Sequence, residues 1–286
     1  MKTNPYAITQ IVRYACCLLI THLSIHIPVA AQAITYGYHE SAGQYFRVDD
    51  QTQLYFEQYG EGSPVLLLHG GVFGYIGEFS ELIDALRLDH QVICLATRGH
   101  VKSDIGVAPY TYEQRAEDAF KLLEHLNLDQ VTVIGFSDGG YAAYKLAALY
   151  PDRVRKMVVM GAGDDPVMVS DPPFTYTVDK LMGSFPEFFE KRLKHMPQPE
   201  RWSESLDMLN DLYNNSMVSK ETFSQIQCPV LIMAGDNDQF SGPEQCLQAH
   251  RYIDQSQLSI IPGCGHVILH CNFPAVWASL EKFLND

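Results

Sequence analysis

The stretch Val131-Thr132-Val133-Ile134-Gly135-Phe136-Ser137-Asp138-Gly139-Gly140 decides how this chain is read. Its first four residues are three β-branched apolar side chains and a threonine without an apolar/polar alternation. That is the pattern of a strand covered on both faces in a parallel sheet. A G-x-S-x-G follows at once, and Gly139–Leu149 is rich in small residues and stops before Pro151, which reads as a helix. A serine on so tight a strand-to-helix turn stands proud of the sheet, and the flanking glycines keep neighbouring backbones from clashing. The helix N-terminus beneath it offers partial positive charge and free N–H groups to a developing oxyanion. Alone, G-x-S-x-G is weakly specific, because a plain Gly/Ser turn has the same spelling.

Outward from this stretch, β-branched runs alternate with helical patterns. Strands are predicted at Tyr45–Val48, Leu54–Tyr59, Val65–His69, Val92–Ala96, Val131–Gly135, Lys156–Gly161, Val230–Ala234 and Leu258–Ile261. The first two alternate more than the rest and suit an antiparallel edge. Thr111-Tyr-Glu-Gln114 fits a capping box, and Ala116, Ala119, Phe120, Leu123 and Leu126 follow as one buried stripe. A last helix is expected near Pro274–Leu284. This alternation predicts an α/β fold with a mostly parallel, doubly wound sheet. Between Asp164 and Gln227 there is no strand pattern but many large apolar residues, among them Phe174, Phe188, Phe189 and Trp202. A segment this long is read as a small helical lid inserted after the sixth strand, over residues 164–227.

A serine hydroxyl needs a base, and the base needs an orienting carboxylate. The strand Val230–Gly235 runs into Asp236-Asn237-Asp238, and Leu258–Ile261 runs into Pro262-Gly-Cys-Gly-His266. Acid and histidine therefore follow strand ends on the sheet edge that carries Ser137, where open α/β sheets place their sites. The chain order is serine, acid, histidine.

With these residues in hand, the chain resembles the α/β-hydrolase superfamily. His69-Gly70-Gly71 resembles its oxyanion loop, and Arg98-Gly99-His100-Val101-Lys102-Ser103-Asp104 is similar to its R-G-H-G-x-S-D turn. The resemblance covers about residues 45 to 286. It implies that Ser137 is the nucleophile, His266 the general base and Asp238 the orienting acid. It also implies an oxyanion hole from the backbone N–H groups of Asp138 and Gly71, with Val72 as the alternative second donor. Asp236, Asp164 and Asp165 are the rival carboxylates. The chain departs from the family pattern at Val101, where glycine is expected, and at Cys271, where glutamate is common. The elbow Gly135–Gly140 is similar to that of amino-acid ester hydrolases of the valacyclovir-hydrolase type. Asp138 accordingly has two readings: a carboxylate turned to its own helix N-terminus, or a receptor for a cationic substrate group.

His266 and His270 are four apart, a metal-ligand spacing, but the glycines around them argue for a loop and no metal is expected. His69 and His100 are read as hydrogen-bonded loop histidines. No cofactor is implied, and no nucleotide fingerprint is present.

Composition agrees with small-molecule work. Of 286 residues, 47% are hydrophobic, 11% aromatic and 19% charged, which suits one large domain and excludes a disordered chain. The 34 acidic residues outnumber 20 basic ones, a net charge of −14 that argues against nucleic acid. Residues 1–33 hold no Asp or Glu: Lys2 and Arg13 precede an apolar stretch that ends in Ala31-Gln32-Ala33, an A-x-A site. His22, His26 and Pro28 interrupt it, so it falls short of the ~20 apolar residues of a membrane span. A signal peptide over 1–33 is expected, cleaved after Ala33, with a secreted or periplasmic domain over 34–286. Cleavage would leave 253 residues, with 18 basic against 34 acidic side chains, a charge of −16. Five cysteines would remain, an odd count that leaves room for one bridge but assigns no pair.

The expectation is thus a serine hydrolase that cleaves a small carboxylic ester, thioester or lactone through an acyl-enzyme. Acyl transfer, C–C bond hydrolysis and perhydrolysis use the same triad. A non-catalytic ligand-binding member of the fold is the reading from another class.

Overall fold

The structure is a computed structural model that describes residues 35–39, 41–164 and 173–286. The leader predicted over 1–33 and the rival carboxylate Asp165 lie outside the described residues.

Eight strands form one sheet: β1 (Gly43–Asp49), β2 (Thr52–Tyr59), β3 (Ser63–Leu68), β4 (His90–Leu95), β5 (Val131–Phe136), β6 (Val154–Met160), β7 (Val230–Gly235) and β8 (Ser256–Ile261). Their order is β1-β2-β4-β3-β5-β6-β7-β8. β1 pairs antiparallel with β2, and β2 with β4, while every pairing from β4 to β8 is parallel. The sequence pattern explains the division. β5 and β7 are buried at every residue, as two-sided cover demands, whereas β1 exposes alternate positions at the edge. Each fully buried Leu, Ile or Val, such as Leu66, Ile134 or Val158, stabilises the sheet by roughly 1.5–3 kcal/mol.

The helices are α1 (Ser80–Leu86), α2 (Tyr112–His125), α3 (Asp138–Leu149), α4 (Val178–Ser184), α5 (Pro186–Leu193), α6 (Trp202–Asn215), α7 (Lys220–Phe223), α8 (Pro243–Tyr252), α9 (Ile268–Cys271) and α10 (Phe273–Asn285). Helices α4 to α7 all fall between β6 and β7, in the segment read as an insertion after the sixth strand. Phe189, Trp202, Leu209 and Leu212 anchor that segment in the core, while Phe185 and Met217 remain exposed.

Two local expectations need correction. Thr111 Oγ1 accepts the Gln114 N–H at 2.9 Å, but the return half of the capping box is absent: the Gln114 side chain donates to Asp118 Oδ1 at 3.1 Å. The stripe of α2 also carries charge inward, because Arg115 and Asp118 are buried. Arg98 forks onto Asp118 with bonds of 2.7 and 2.9 Å, which lets a carboxylate occupy a core-facing position. In the turn that begins at Arg98, Val101 has φ 51°. The valine therefore keeps the left-handed backbone that glycine normally supplies, a strained conformation for a β-branched residue.

Candidate active site

β5 ends in a turn on which Ser137 has φ 52° and ψ −118°. A non-glycine residue persists in such a conformation only where its surroundings over-determine it. Here the Ser137 N–H donates to the Met160 carbonyl at 2.8 Å, and its own carbonyl accepts from Gly140 and Tyr141 at 2.8 and 3.1 Å. The flanking glycines are sterically required. A Cβ on Gly139 would lie 1.9 Å from the Leu68 carbonyl oxygen, and one on Gly135 would lie 2.3 Å from that of Gly139.

Beyond β7 and β8 the loops bring the other two residues to this turn. His266 Nε2 lies 2.9 Å from Ser137 Oγ, and His266 Nδ1 lies 2.8 Å from Asp238 Oδ2. The second oxygen of Asp238 accepts the N–H groups of Phe240 and Ser241 at 2.8 and 3.1 Å. Burial alone would raise the Asp238 carboxyl, but the His266 contact and these two N–H donors hold it below the usual carboxylate range. Phe136 and Phe240 each lie 5.0 Å from the imidazole, ring centre to ring centre. Asp236 is exposed, and its Oδ1 accepts from Asn237. Asp164 Oδ1 is buried without a partner among the described residues. The arrangement can move a proton from a serine hydroxyl to an imidazole held in one orientation.

Asp138 is the first residue of α3, so its N–H has no partner within the helix. Among the described residues, nothing accepts the Gly71 N–H. The alternative donor is occupied: the Val72 N–H donates to the Tyr213 hydroxyl oxygen at 3.1 Å. That hydroxyl in turn donates to Asp138 Oδ2 at 2.8 Å. Gly71 lies against this pair, because a Cβ there would meet Tyr213 Oη at 2.0 Å and Asp138 Oδ2 at 2.5 Å. Arg115 Nη1 is 3.2 Å from the same carboxylate, with both side chains buried. Asp138 thus meets a cation of its own protein rather than only its helix N-terminus. Burial pushes the Arg115 guanidinium down, but Asp138 together with the hydroxyls of Tyr213, Tyr112 and Tyr110 more than offsets it, so its pKa is raised.

Ser137, Asp138 and His266 open into a cavity of about 570 Å³, walled by Phe73, Phe136, Phe174, Tyr176, Phe188 and Phe240. Among the described residues no Lys or Arg lines it, but a second carboxyl does, Glu78. Burial pushes Glu78 up to about 8, against the opposing effect of the Gly70 N–H that donates to it at 2.6 Å. Ser241 also lines the cavity, and its buried Oγ has no partner among the described residues.

The loop histidines are hydrogen-bonded and buried. His69 Nε2 accepts the Thr97 N–H at 3.0 Å, and burial pushes this imidazole down to about 3. His100 Nε2 donates to the Gly71 carbonyl at 3.0 Å. His270 Nε2 donates to the Glu78 carbonyl at 3.0 Å. Among the described residues no cluster of His, Cys, Asp or Glu could hold a metal ion. Cys264 and Cys271 form a disulfide, a pair the spacing had left unassigned. Tyr213, Arg115 and Glu78 escaped the linear reading as well. Each lies on a helix or turn far along the chain from Ser137, with no motif around it.

The family model of the α/β hydrolase fold matches residues 64–201. The human serine hydrolase BPHL is 26% identical over 274 residues, covering 91% of this chain and 92% of that protein. The 2-hydroxy-6-oxononadienedioate/2-hydroxy-6-oxononatrienedioate hydrolase 2 of Pseudomonas putida is 28% identical over 261 residues, covering 81% and 88%. Among solved structures, the meta-cleavage product hydrolase CumD of Pseudomonas fluorescens IP01 superposes with a TM-score of 0.70 at 22% identity, over 85% of this chain and 98% of that one. Sheet order, elbow and these likenesses agree: the chain has the α/β-hydrolase fold and is similar to enzymes of that superfamily.

Proposed function

We propose that this enzyme is a serine hydrolase that cleaves a small carboxylic ester through an acyl-enzyme. The observation that carries the reading is the relay from Ser137 through His266 to Asp238, at 2.9 and 2.8 Å, opening into an aromatic-walled cavity. His266 takes the proton of Ser137 as its Oγ attacks the carbonyl carbon. The N–H groups of Gly71 and Asp138 receive the oxyanion. His266 then returns the proton to the leaving alcohol, and water releases the acid by the same steps in reverse. Thioesters and lactones fit this chemistry, as do acyl transfer and perhydrolysis with another acceptor.

C–C bond hydrolysis is the second reading, because the Pseudomonas putida relative is named for a dioate substrate. The cavity weighs against that substrate here. Among the described residues Glu78 and Asp138 line it and no Lys or Arg does, so a dianion would meet no cationic partner among them. Asp138 is the candidate receptor for a substrate's cationic group, which would share that carboxylate with Arg115. The measure of that role is the preference of Asp138→Asn between amino-acyl and plain acyl esters. Secretion or periplasmic export, with cleavage after Ala33, belongs to the same proposal. It is supported by the Cys264–Cys271 disulfide, since such bridges persist in oxidising compartments. The N-terminal sequence of the mature protein tests it.

Fluorophosphonate labelling of the folded protein, with Ser137→Ala as control, tests the hydrolase reading. A folded wild type that takes no label refutes it and leaves a ligand-binding role. A panel of p-nitrophenyl esters of graded chain length then ranks acyl groups.

A further inference from the structure

The insertion between β6 and β7 does more than wall the cavity. On α5, Arg192 is 2% exposed, yet among the described residues no carboxylate lies within ion-pair distance of it. Its guanidinium instead spends two donors on main-chain carbonyls of the loop after β3. Nη1 donates to Val72 O, and Nη2 donates to Gly74 O at 2.7 Å. On α6, Tyr213 takes the other side of the same residue, accepting the Val72 N–H at 3.1 Å. Both polar groups of Val72 are therefore held by side chains some 120 and 141 positions away. The rest of the turn is tied down too. The Gly71 carbonyl accepts from Gly74 N at 2.6 Å and from His100 at 3.0 Å, and the Gly70 N–H is spent on Glu78. Of the Gly70, Gly71 and Val72 N–H groups, the one without an acceptor among the described residues belongs to Gly71, the proposed oxyanion donor.

A buried cation held by two neutral carbonyls and the ring faces of Phe188 and Phe189, 5.1 and 5.4 Å away, is expensive, and burial pulls the Arg192 guanidinium down to about 10. Simple packing would be served as well by a Met or Leu. The fork of an arginine, by contrast, fixes two carbonyls in one plane, which a flexible or apolar side chain cannot do. Tyr213 adds a second constraint. By donating to Asp138 it ties the loop that carries one oxyanion donor to the side chain of the residue whose own N–H is the other.

We infer that Arg192 and Tyr213 are positioning residues, which clamp the Gly71–Gly74 turn so that the Gly71 N–H is set against the oxyanion formed at Ser137. The inference rests on the acyl-enzyme reading above. Oxyanion stabilisation depends on donors fixed before reaction, and displacements of about 1 Å at such a site cost up to about 100-fold in rate.

The test compares wild type with Arg192→Met, Arg192→Lys and Tyr213→Phe, each first checked for fold by circular dichroism and thermal melting. Steady-state hydrolysis of p-nitrophenyl acetate is measured beside inhibition by a simple alkyl boronic acid, which forms a tetrahedral anion on a reactive serine, and by the product acid, acetate. The expected result is a kcat reduced by about 10- to 100-fold with KM within about threefold. Boronate affinity should fall in step, acetate affinity should hold, and Arg192→Lys should restore part of the loss. Where Arg192→Met does not fold, Tyr213→Phe carries the test alone. Folded variants with wild-type kcat and boronate affinity, or variants that lose boronate and acetate binding equally, overturn the clamp. A wild type that neither labels with fluorophosphonate nor turns over ester overturns the parent reading itself, and the clamp with it.

Discussion

The disulfide between Cys264 and Cys271 closes a short loop that carries His266, so the imidazole that faces Ser137 sits inside a covalent ring. Cys271 stands where the family commonly has a glutamate, and the crosslink ties the end of α9 to the segment after β8. With a separation of 7 residues, the bridge is expected to contribute about 2 kcal/mol through the unfolded chain's lost entropy. Cys264→Ser/Cys271→Ser should therefore melt roughly 5 °C lower than the oxidised wild type. Thermal melts with and without reductant check this, because reductant should shift the wild type and leave the double variant unmoved.

The pairing of Asp138 with Arg115 makes a second prediction. Both side chains are buried and 3.2 Å apart, so neutralising one strands the other in the core. Asp138→Asn should cost roughly 3 kcal/mol of stability, and Arg115→Met added to it should recover part of that loss. Denaturant unfolding of the single and double variants measures the coupling. Additive losses in this cycle would mean that the pair is energetically unimportant.

Two glycine replacements should act in opposite directions. Gly71→Ala places its methyl within 2.0 Å of Tyr213 Oη, so the Val72–Tyr213–Asp138 chain must move. Its kcat should fall at least about tenfold, given the sensitivity of oxyanion sites to sub-ångström shifts. Gly183 lies within α4 with nothing near its missing side chain, so Gly183→Ala should raise stability by up to about 1 kcal/mol and leave kcat alone. Paired melts and ester kinetics on the two variants separate the effects.

Glu78 gives a pH signature. Its folded pKa is raised to about 8, so between the unfolded value near 4.5 and about 8 the folded state holds a proton that the unfolded state has lost. The stability this group contributes is full below pH ~4.5 and is lost as pH rises through about 8. Glu78→Gln keeps an oxygen for the Gly70 N–H but cannot ionise. Its melting temperature relative to wild type should climb from pH 4.5 to pH 8 and level off above, as scanning calorimetry across that range would record. A constant difference would contradict the raised value.

All eight strands overlap the runs predicted for them, the interior ones because a strand covered on both faces needs unbroken apolar sequence and β1 because an edge strand alternates; both demands are local. The elbow is local in the same sense. Gly135 and Gly139 sit where any Cβ would strike backbone, so the motif spells its own geometry. Local pattern also put Asp238 and His266 just past strand ends, on the edge of the sheet that carries Ser137. Side chains whose meaning lies in a distant partner were not legible. Nothing beside Arg115 and Asp118 in the chain marks them as buried; their partners, Asp138 and Arg98, are brought opposite them by the fold. The hydroxyl of Tyr213 and the fork of Arg192 acquire a role only when α5 and α6 come down on Val72. Likewise, seven cysteines named no pair until the loop after β8 folded back on α9. By itself, then, the sequence determined the elements, their order and the residues whose chemistry is spelled by neighbours. The tertiary structure decided which buried charge meets which, and which loop amide stays free, because those are contacts between segments whose spacing no periodicity records.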